Sequence, residues 1–229
     1  MGEGWILGVA YSSRINNPLT VFYFCFGILT FSSCTHIPRI IVLNDPLTAE
    51  EHLSLGLSYE LRWEYDLAIQ EYNKALKKGK KDYRPMFYLG NVYYKEKDYI
   101  MAEKYYNNAL RIDPENGDVH NNLTWVYFDT ERFEDARDEI EKALRVKRNP
   151  YYLDTLANVY SRMGRYEDAI GVLQEALSVT AVSDSSLLYN EYKLLGELYE
   201  KMGKHEVAVD AWKRAEELIP LNPPLIKGK

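Results

Sequence analysis

The sequence predicts an all-α protein built as a solenoid, a stack of similar helical pairs, and a pattern repeated along the chain leads to this prediction. A small residue that follows a leucine and precedes a tyrosine by three positions recurs five times, at spacings of 34, 34, 33 and 39 residues. These small residues are Gly56, Gly90, Thr124, Ala157 and Gly196. Because a fixed period of this length marks repeat architectures, we expect one structural unit per copy.

A second regularity predicts the second helix of each unit. Alanines stand 12 and 19 residues after every small residue, and a bulky residue stands between them. The bulky residues are Tyr72, Tyr106, Ile140, Leu173 and Trp212. Both sets recur on one helical face, so each unit is predicted to be two amphipathic helices that approach closely at the small residue. The predicted units are residues 49–82, 83–116, 117–149, 150–183 and 189–222.

Turn residues complete the prediction for the individual units. Gly164 and Gly203 follow predicted first helices, where a left-handed cap favours glycine. The longer spacing before the fifth unit comes from about five extra residues around Ser183–Leu188, which we expect to lengthen the loop between units four and five.

At these residues the sequence resembles the tetratricopeptide repeat family, over about three-quarters of the chain. The resemblance implies a right-handed superhelix whose first helices line a concave groove, and it implies a protein or peptide partner in that groove. It places on the groove a set of amide, aromatic and charged side chains from units two to four. They are Arg84, Phe87, Asn91, Tyr94, Asn121, Trp125, Phe128, Asp154 and Asn158.

Two interpretations of this groove set stay open. The amides can hydrogen-bond an extended peptide backbone and the aromatic rings offer flat apolar area. Alternatively, the rings pack between adjacent first helices and the asparagines are only solvated.

Chaperone-binding members of the family hold a terminal carboxylate with basic residues and asparagines. Here Leu53 and Leu57 occupy the corresponding positions of the first unit, so that clamp is not expected.

The N-terminal stretch Leu19–Cys34 is apolar, and its 13-residue core to Phe31 suits a secretory signal better than a membrane span. Its end resembles the lipobox of bacterial lipoproteins, which implies a signal peptide over 1–33, lipidation at Cys34 and a tether over 34–48. The alternatives are an uncleaved membrane anchor, ordinary secretion, and a buried segment that only looks like a signal. Residues 223–229 are predicted to be a disordered tail.

The charge and the residue types of the chain argue against several classes of function. The formal net charge of −6 argues against nucleic-acid binding, and the basic run Lys74–Lys81 is interpreted as a solvated helix end, with an anionic-lipid patch as the alternative. Two cysteines and four scattered histidines do not predict a metal site, and no motif predicts an enzyme or a cofactor.

We therefore expect a non-enzymatic scaffold for protein interactions, lipid-anchored in a bacterial cell envelope on the outer membrane facing the periplasm, or on the inner membrane if the anchor is uncleaved. Tetratricopeptide lipoproteins that assist type IV pilus and secretin assembly are similar in layout. The alternative is an adaptor subunit of a peptidoglycan or polysaccharide machine. The last helix lacks a capping helix, so self-association there is a further expectation.

Overall fold

A computed structural model of the chain describes residues 45–218, and in that range ten α-helices follow one another without a strand. The helices are α1 Ala49–Leu61, α2 Tyr65–Lys78, α3 Arg84–Lys95, α4 Tyr99–Leu110, α5 Gly117–Asp129, α6 Phe133–Val146, α7 Pro150–Arg162, α8 Tyr166–Val179, α9 Ser185–Lys201 and α10 His205–Glu217. The predicted all-α solenoid of five helical pairs is confirmed.

Each odd-numbered helix packs on the next even-numbered one, and each even-numbered helix packs on the first helix of the following pair. The first helices also contact each other along the stack, from α3 to α5, α5 to α7 and α7 to α9. One pair alone could not bury both of its apolar faces, so the stack supplies the core that each unit lacks.

A turn of three residues joins the two helices of every pair, and its middle residue has a positive φ in all five turns. Gly164 and Gly203 have φ values of 74° and 72°, as the sequence predicted. The other three turns use residues with a side chain, namely Trp63, Lys97 and Glu131, at 60–63°. The backbone geometry of the turn is therefore set by the helical pair, and glycine only makes it less strained.

Small and large residues meet inside each pair as the pattern predicted. A Cβ atom added to Gly90 would stand 2.5 Å from the Tyr106 ring, and one added to Gly196 would stand 2.3 Å from the Trp212 indole. Trp212 therefore packs inside the fifth pair. In the third and fourth pairs the small residues are Thr124 and Ala157, and the bulky partners are aliphatic.

The extra residues before the fifth pair lie in a helix, so the prediction of a longer loop was wrong. Helix α9 begins at Ser185, four residues before the predicted start of that unit, and has 17 residues. The Asp184 side chain accepts a hydrogen bond of 3.1 Å from the Leu187 amide, and both Leu187 and Leu188 are buried. A capping carboxylate and two buried leucines add a turn to the helix.

A buried ion-pair group occurs at the same place in the first and third pairs. The His52 Nδ1 atom lies 2.6 Å from a Glu71 oxygen, and the His120 Nδ1 atom lies 2.7 Å from a Glu139 oxygen. A lysine three residues after each glutamate, Lys74 or Lys142, bonds the other carboxylate oxygen. Each group joins the two helices of its pair by a buried histidine–glutamate hydrogen bond as well as by apolar packing.

The predicted signal segment 1–33, Cys34 and the tail 223–229 lie outside the described residues, as does most of the predicted tether. In the range 45–218, no helix is both long enough and apolar enough to cross a membrane. The same residues contain no group of three or more acidic, cysteine or histidine side chains placed to hold a metal ion.

Candidate functional site

The nine predicted groove residues lie on α3, α5 and α7, which contact each other in sequence. We call this surface the α3–α5–α7 face. Arg84 stands at the first residue of α3, and Asn158 lies four residues before the end of α7. The nine residues therefore belong to three consecutive first helices of the stack.

A cavity of about 220 Å³ opens between α3 and α5 on this face. Its lining includes three predicted residues, Asn91, Tyr94 and Trp125. The structure adds Lys95 and Asn122, which sequence reasoning missed, and the hydroxyl-bearing ring of Tyr106 from α4. The volume is that of a pocket for one side chain, and is below the range of whole small-molecule sites.

Asn91 is tied into the protein by two hydrogen bonds. Its Oδ1 atom accepts from the Tyr106 hydroxyl at 2.8 Å and from the Asn122 amide at 2.9 Å. The first bond joins α3 to the second helix of its own pair, and the second joins α3 to α5. Asn91 therefore has a structural role, and only its amide nitrogen remains for a ligand.

Two further bonds connect consecutive first helices near their C-terminal ends. The Tyr94 hydroxyl donates to an Asp129 oxygen at 2.7 Å, and the Lys95 ammonium donates to a Glu60 oxygen at 2.6 Å. Burial and the Asp129 carboxylate both raise the pKa of Tyr94, so its hydroxyl keeps its proton throughout the neutral range. These bonds fix the spacing of α1, α3 and α5 along one edge of the cavity.

Aromatic rings cover the middle of the face. The Trp125 and Phe128 rings meet edge-on with centroids 5.1 Å apart, and Phe128 meets Phe133 of α6 at 5.9 Å. The guanidinium of Arg162, on α7, lies 5.0 Å from the Phe128 ring centre. Phe87 packs near the Tyr106 ring at 6.2 Å. Phe87 and Phe128 thus pack against the second helices of their own pairs, while Trp125 lines the cavity.

Polar groups on α5 and α7 are left without partners. The Oδ1 atoms of Asn121 and Asp154 are buried and accept no hydrogen bond from the described residues. The Asn158 amide donates to the Asp154 backbone carbonyl at 2.8 Å. Burial raises the pKa of Asp154 to about 6.

A second buried acid lies next to Asp154 on the following first helix. Glu191 of α9 is fully buried, and the Thr180 hydroxyl donates to one of its oxygens at 2.8 Å while the other oxygen has no partner. Burial raises the pKa of Glu191 to about 7, and the Asp154 charge acts in the same direction. Sequence reasoning missed Glu191 because it lies outside the groove positions.

Arg84 is held at the edge of the face by ion pairs. Its guanidinium lies 2.8 Å from an oxygen of Asp82 and 2.8 Å from an oxygen of Glu50. Leu53, which corresponds to a basic position of the chaperone-binding clamp, is 2% exposed and belongs to the core. The first pair therefore presents no clamp to a terminal carboxylate.

Comparison with known proteins decides the family. Three family models described as tetratricopeptide repeat match residues 64–117, 93–159 and 151–220, so together they cover the chain from α2 to beyond α10. The chain belongs to the tetratricopeptide repeat family. Tetratricopeptide arrays present extended concave surfaces that bind proteins, which supports a protein-interaction scaffold, and such scaffolds are typically non-catalytic.

The similar curated proteins differ widely in what they do. Human protein O-mannosyl-transferase TMTC1 is 29% identical over 142 residues, which is 62% of this chain and 15% of that protein. The type IV pilus assembly protein PilF of Pseudomonas aeruginosa is 31% identical over 110 residues, which is 46% of this chain and 42% of that protein. This tetratricopeptide chain thus spans less than half the length of both relatives.

Solved structures share the fold of this tetratricopeptide array. The crystal structure of MamA protein has a TM-score of 0.63 at 21% identity, covering 76% of this chain and 98% of that one. The structure of Pseudomonas aeruginosa PilF has a TM-score of 0.63 at 23% identity, covering 78% of this chain and 79% of that one. At these identities the likeness concerns the fold alone.

Proposed function

We propose that the protein is a non-enzymatic scaffold, lipid-anchored in a bacterial cell envelope, that holds a protein partner on the α3–α5–α7 face during assembly of an envelope complex. The observation that carries this proposal is the cavity bordered by Trp125, Tyr94 and the Asn91–Asn122 pair. It combines a flat apolar wall with amide groups, which is the chemistry that holds a peptide side chain and its backbone.

The envelope part of the proposal is supported by the sequence before the array. The apolar stretch and Cys34 resemble a lipoprotein signal, and the array needs no membrane to complete its core, so the stretch has a separate role. The similarity to a type IV pilus assembly protein favours pilus or secretin assembly as the pathway. Palmitate labelling that disappears in Cys34→Ser tests the anchor, and labelling that persists in this variant contradicts it.

Trp125→Ala tests the face itself. Trp125 lines the cavity and forms no hydrogen bond with another described residue. Its loss is therefore expected to weaken partner capture at least tenfold, the usual cost of removing a central aromatic contact. The full chain is extracted in mild detergent from its source cells, and co-purifying proteins are quantified by mass spectrometry.

Trp63→Ala is the matched control. Trp63 is 78% exposed and lies in the turn between α1 and α2, away from the α3–α5–α7 face. The same chemical change there is expected to leave capture intact. Equal loss in both variants, or no loss in Trp125→Ala, contradicts the proposed face. Capture of a hydrolase or synthase instead of pilus or secretin components favours the adaptor alternative.

A further inference from the structure

The basic run of the sequence spans the last turn of α2 and the start of the loop between the first and second helical pairs. Residues 77–83, here called the lysine loop, leave α2 at Lys78 and reach α3 at Arg84. The four lysines of the loop are all exposed, and they line an open hollow of about 630 Å³ together with Gly79, Asp82 and Tyr83. The loop is therefore a concave, cationic surface and differs from the mixed charges on the rest of the array.

Little of this positive charge is neutralised within residues 45–218. Asp82 is paired with Arg84 at 2.8 Å, and Asp45 is shared between His52 at 2.8 Å and Lys78 at 3.7 Å. Lys77, Lys80 and Lys81 form no ion pair with a described acidic side chain. Lys77, Lys80 and Lys81 therefore present positive charge to solvent, although the net charge of the chain is −6.

The lysine loop lies against the point where the described chain begins. The Lys78 ammonium donates to the Asp45 carbonyl oxygen at 2.9 Å, and it also contacts the Leu47 carbonyl oxygen. Ten residues separate Asp45 from Cys34, and a fully extended chain of that length spans no more than about 40 Å. The lysine loop thus contacts a segment that begins 11 positions after Cys34 in the sequence.

We propose that the lysine loop docks on an anionic membrane surface, where its ammonium groups contact lipid phosphates. This inference rests on the membrane attachment proposed above. Lysines act as point charges without fixed orientation, which suits a layer of mobile headgroups better than one shaped anion. Near such a surface each lysine strengthens association about fivefold. Docking would hold the loop between the first and second pairs at the membrane.

The test compares the full chain in bilayer nanodiscs of phosphatidylcholine alone and with about 30% phosphatidylglycerol, an anionic content that gives a clear surface potential. Lysines are acetylated with acetic anhydride, which is uncharged, and modification is read by mass spectrometry. We expect Lys77, Lys80 and Lys81 to be acetylated several-fold more slowly on the anionic discs than on the phosphatidylcholine discs. At about 0.5 M NaCl the difference should disappear, because screening shortens the range of the attraction.

Three lysines of the same chain serve as internal controls. Lys104, Lys193 and Lys213 are exposed and lie on α4, α9 and α10. They should react equally on both discs. Equal rates for the lysine loop on the two compositions overturn the inference, and so does uniform slowing of all the lysines. Protection by a single-stranded oligonucleotide without protection by the anionic disc overturns it in favour of nucleic acid.

A pair of variants separates this inference from the anchor. Lys77→Gln/Lys80→Gln/Lys81→Gln should weaken the anionic-lipid-dependent part of vesicle flotation roughly a hundredfold, whereas Lys104→Gln/Lys193→Gln/Lys213→Gln should not. Flotation on neutral vesicles reports the anchor alone. A chain that stays off neutral vesicles contradicts the anchor, and a chain whose two triple variants float alike contradicts docking by the lysine loop.

Discussion

The Tyr106 hydroxyl donates a 2.8 Å hydrogen bond to Asn91 Oδ1, which joins α4 of the second pair to the surface that we propose as the partner face. Tyr106 is 1% exposed, so the protein shields this bond from bulk solvent. Asn91, which the sequence places on the groove, is therefore bonded to a core side chain, so its replacement affects stability as well as the face.

Asn91→Ala is expected to lower the free energy of unfolding by about 1–2 kcal/mol, because the buried Tyr106 hydroxyl loses its acceptor. Urea denaturation followed by circular dichroism measures the loss. The double variant Asn91→Ala/Tyr106→Phe should cost less than the sum of the two single variants, since it removes donor and acceptor together. Additive costs would show that the bond does not contribute to stability.

Gly90→Ala is expected to destabilise the protein by several kcal/mol. The added Cβ would stand 2.5 Å from the Tyr106 ring, and neither the ring nor α3 can move without opening the core of the pair. Gly171→Ala is the matched control, since Gly171 lies inside α8 with no atom within 4 Å of an added Cβ. The control should stabilise by up to about 1 kcal/mol through helix propensity. Thermal unfolding that ranks the two variants the other way would contradict the packing argument.

The fold could be predicted from the sequence because the contacts that hold each pair recur at a fixed spacing. Gly196 and Trp212 are 16 residues apart, as are Gly90 and Tyr106, and five copies in phase identify the two packed helices without any structure. The extra turn of α9 could not be predicted in this way. Its serines read as a loop, and only the Asp184 cap and the burial of Leu187 make the segment helical.

The candidate site was harder to predict than the fold. The sequence placed Trp125 on the first-helix face, but it could not show that Asn91 is bonded to Tyr106 and Asn122, because these bonds join residues 15 and 31 positions away. The buried histidines did leave a signal. His52 and Glu71 are 19 residues apart, and the same two types recur 19 apart at His120 and Glu139, two repeats later.

Lys97→Gly is expected to stabilise the protein by about 0.5–1 kcal/mol. Lys97 has a φ of 62° in the turn between α3 and α4, a conformation that costs a residue with a Cβ but not glycine. Gly164→Ala, in the equivalent turn between α7 and α8 with a φ of 74°, should lose a similar amount. Thermal melts of the two variants should shift in opposite directions, and shifts of the same sign would contradict a strain shared by the five turns.

Two buried glutamates should give the protein opposite responses to pH. Burial by itself would raise the pKa of Glu139, but hydrogen bonds from His120 and Lys142 outweigh it and hold the pKa below its usual value. The ionised Glu139 side chain therefore stabilises the folded protein. This stabilisation is fully present above the unfolded-state pKa of about 4.3 and is lost as the pH falls through the folded-state pKa. Glu139→Gln should therefore cost about 1–3 kcal/mol at pH 7 and progressively less as the pH falls below about 4.3.

Glu191 should respond in the other direction. Burial raises its pKa to about 7 in the folded protein, so the protonated side chain is favoured by folding. Its contribution to the free energy of unfolding is fully present below about pH 4.3 and is lost as the pH rises through 7. Glu191→Gln is neutral at every pH and keeps the carboxyl shape, so it should raise the free energy of unfolding by about 1–2 kcal/mol at pH 8 and change it little near pH 4. Urea denaturation of the two variants from pH 3 to 8 measures both effects. A Glu191→Gln variant that is less stable than the parent at pH 8 would contradict a net cost of burying the ionised carboxylate.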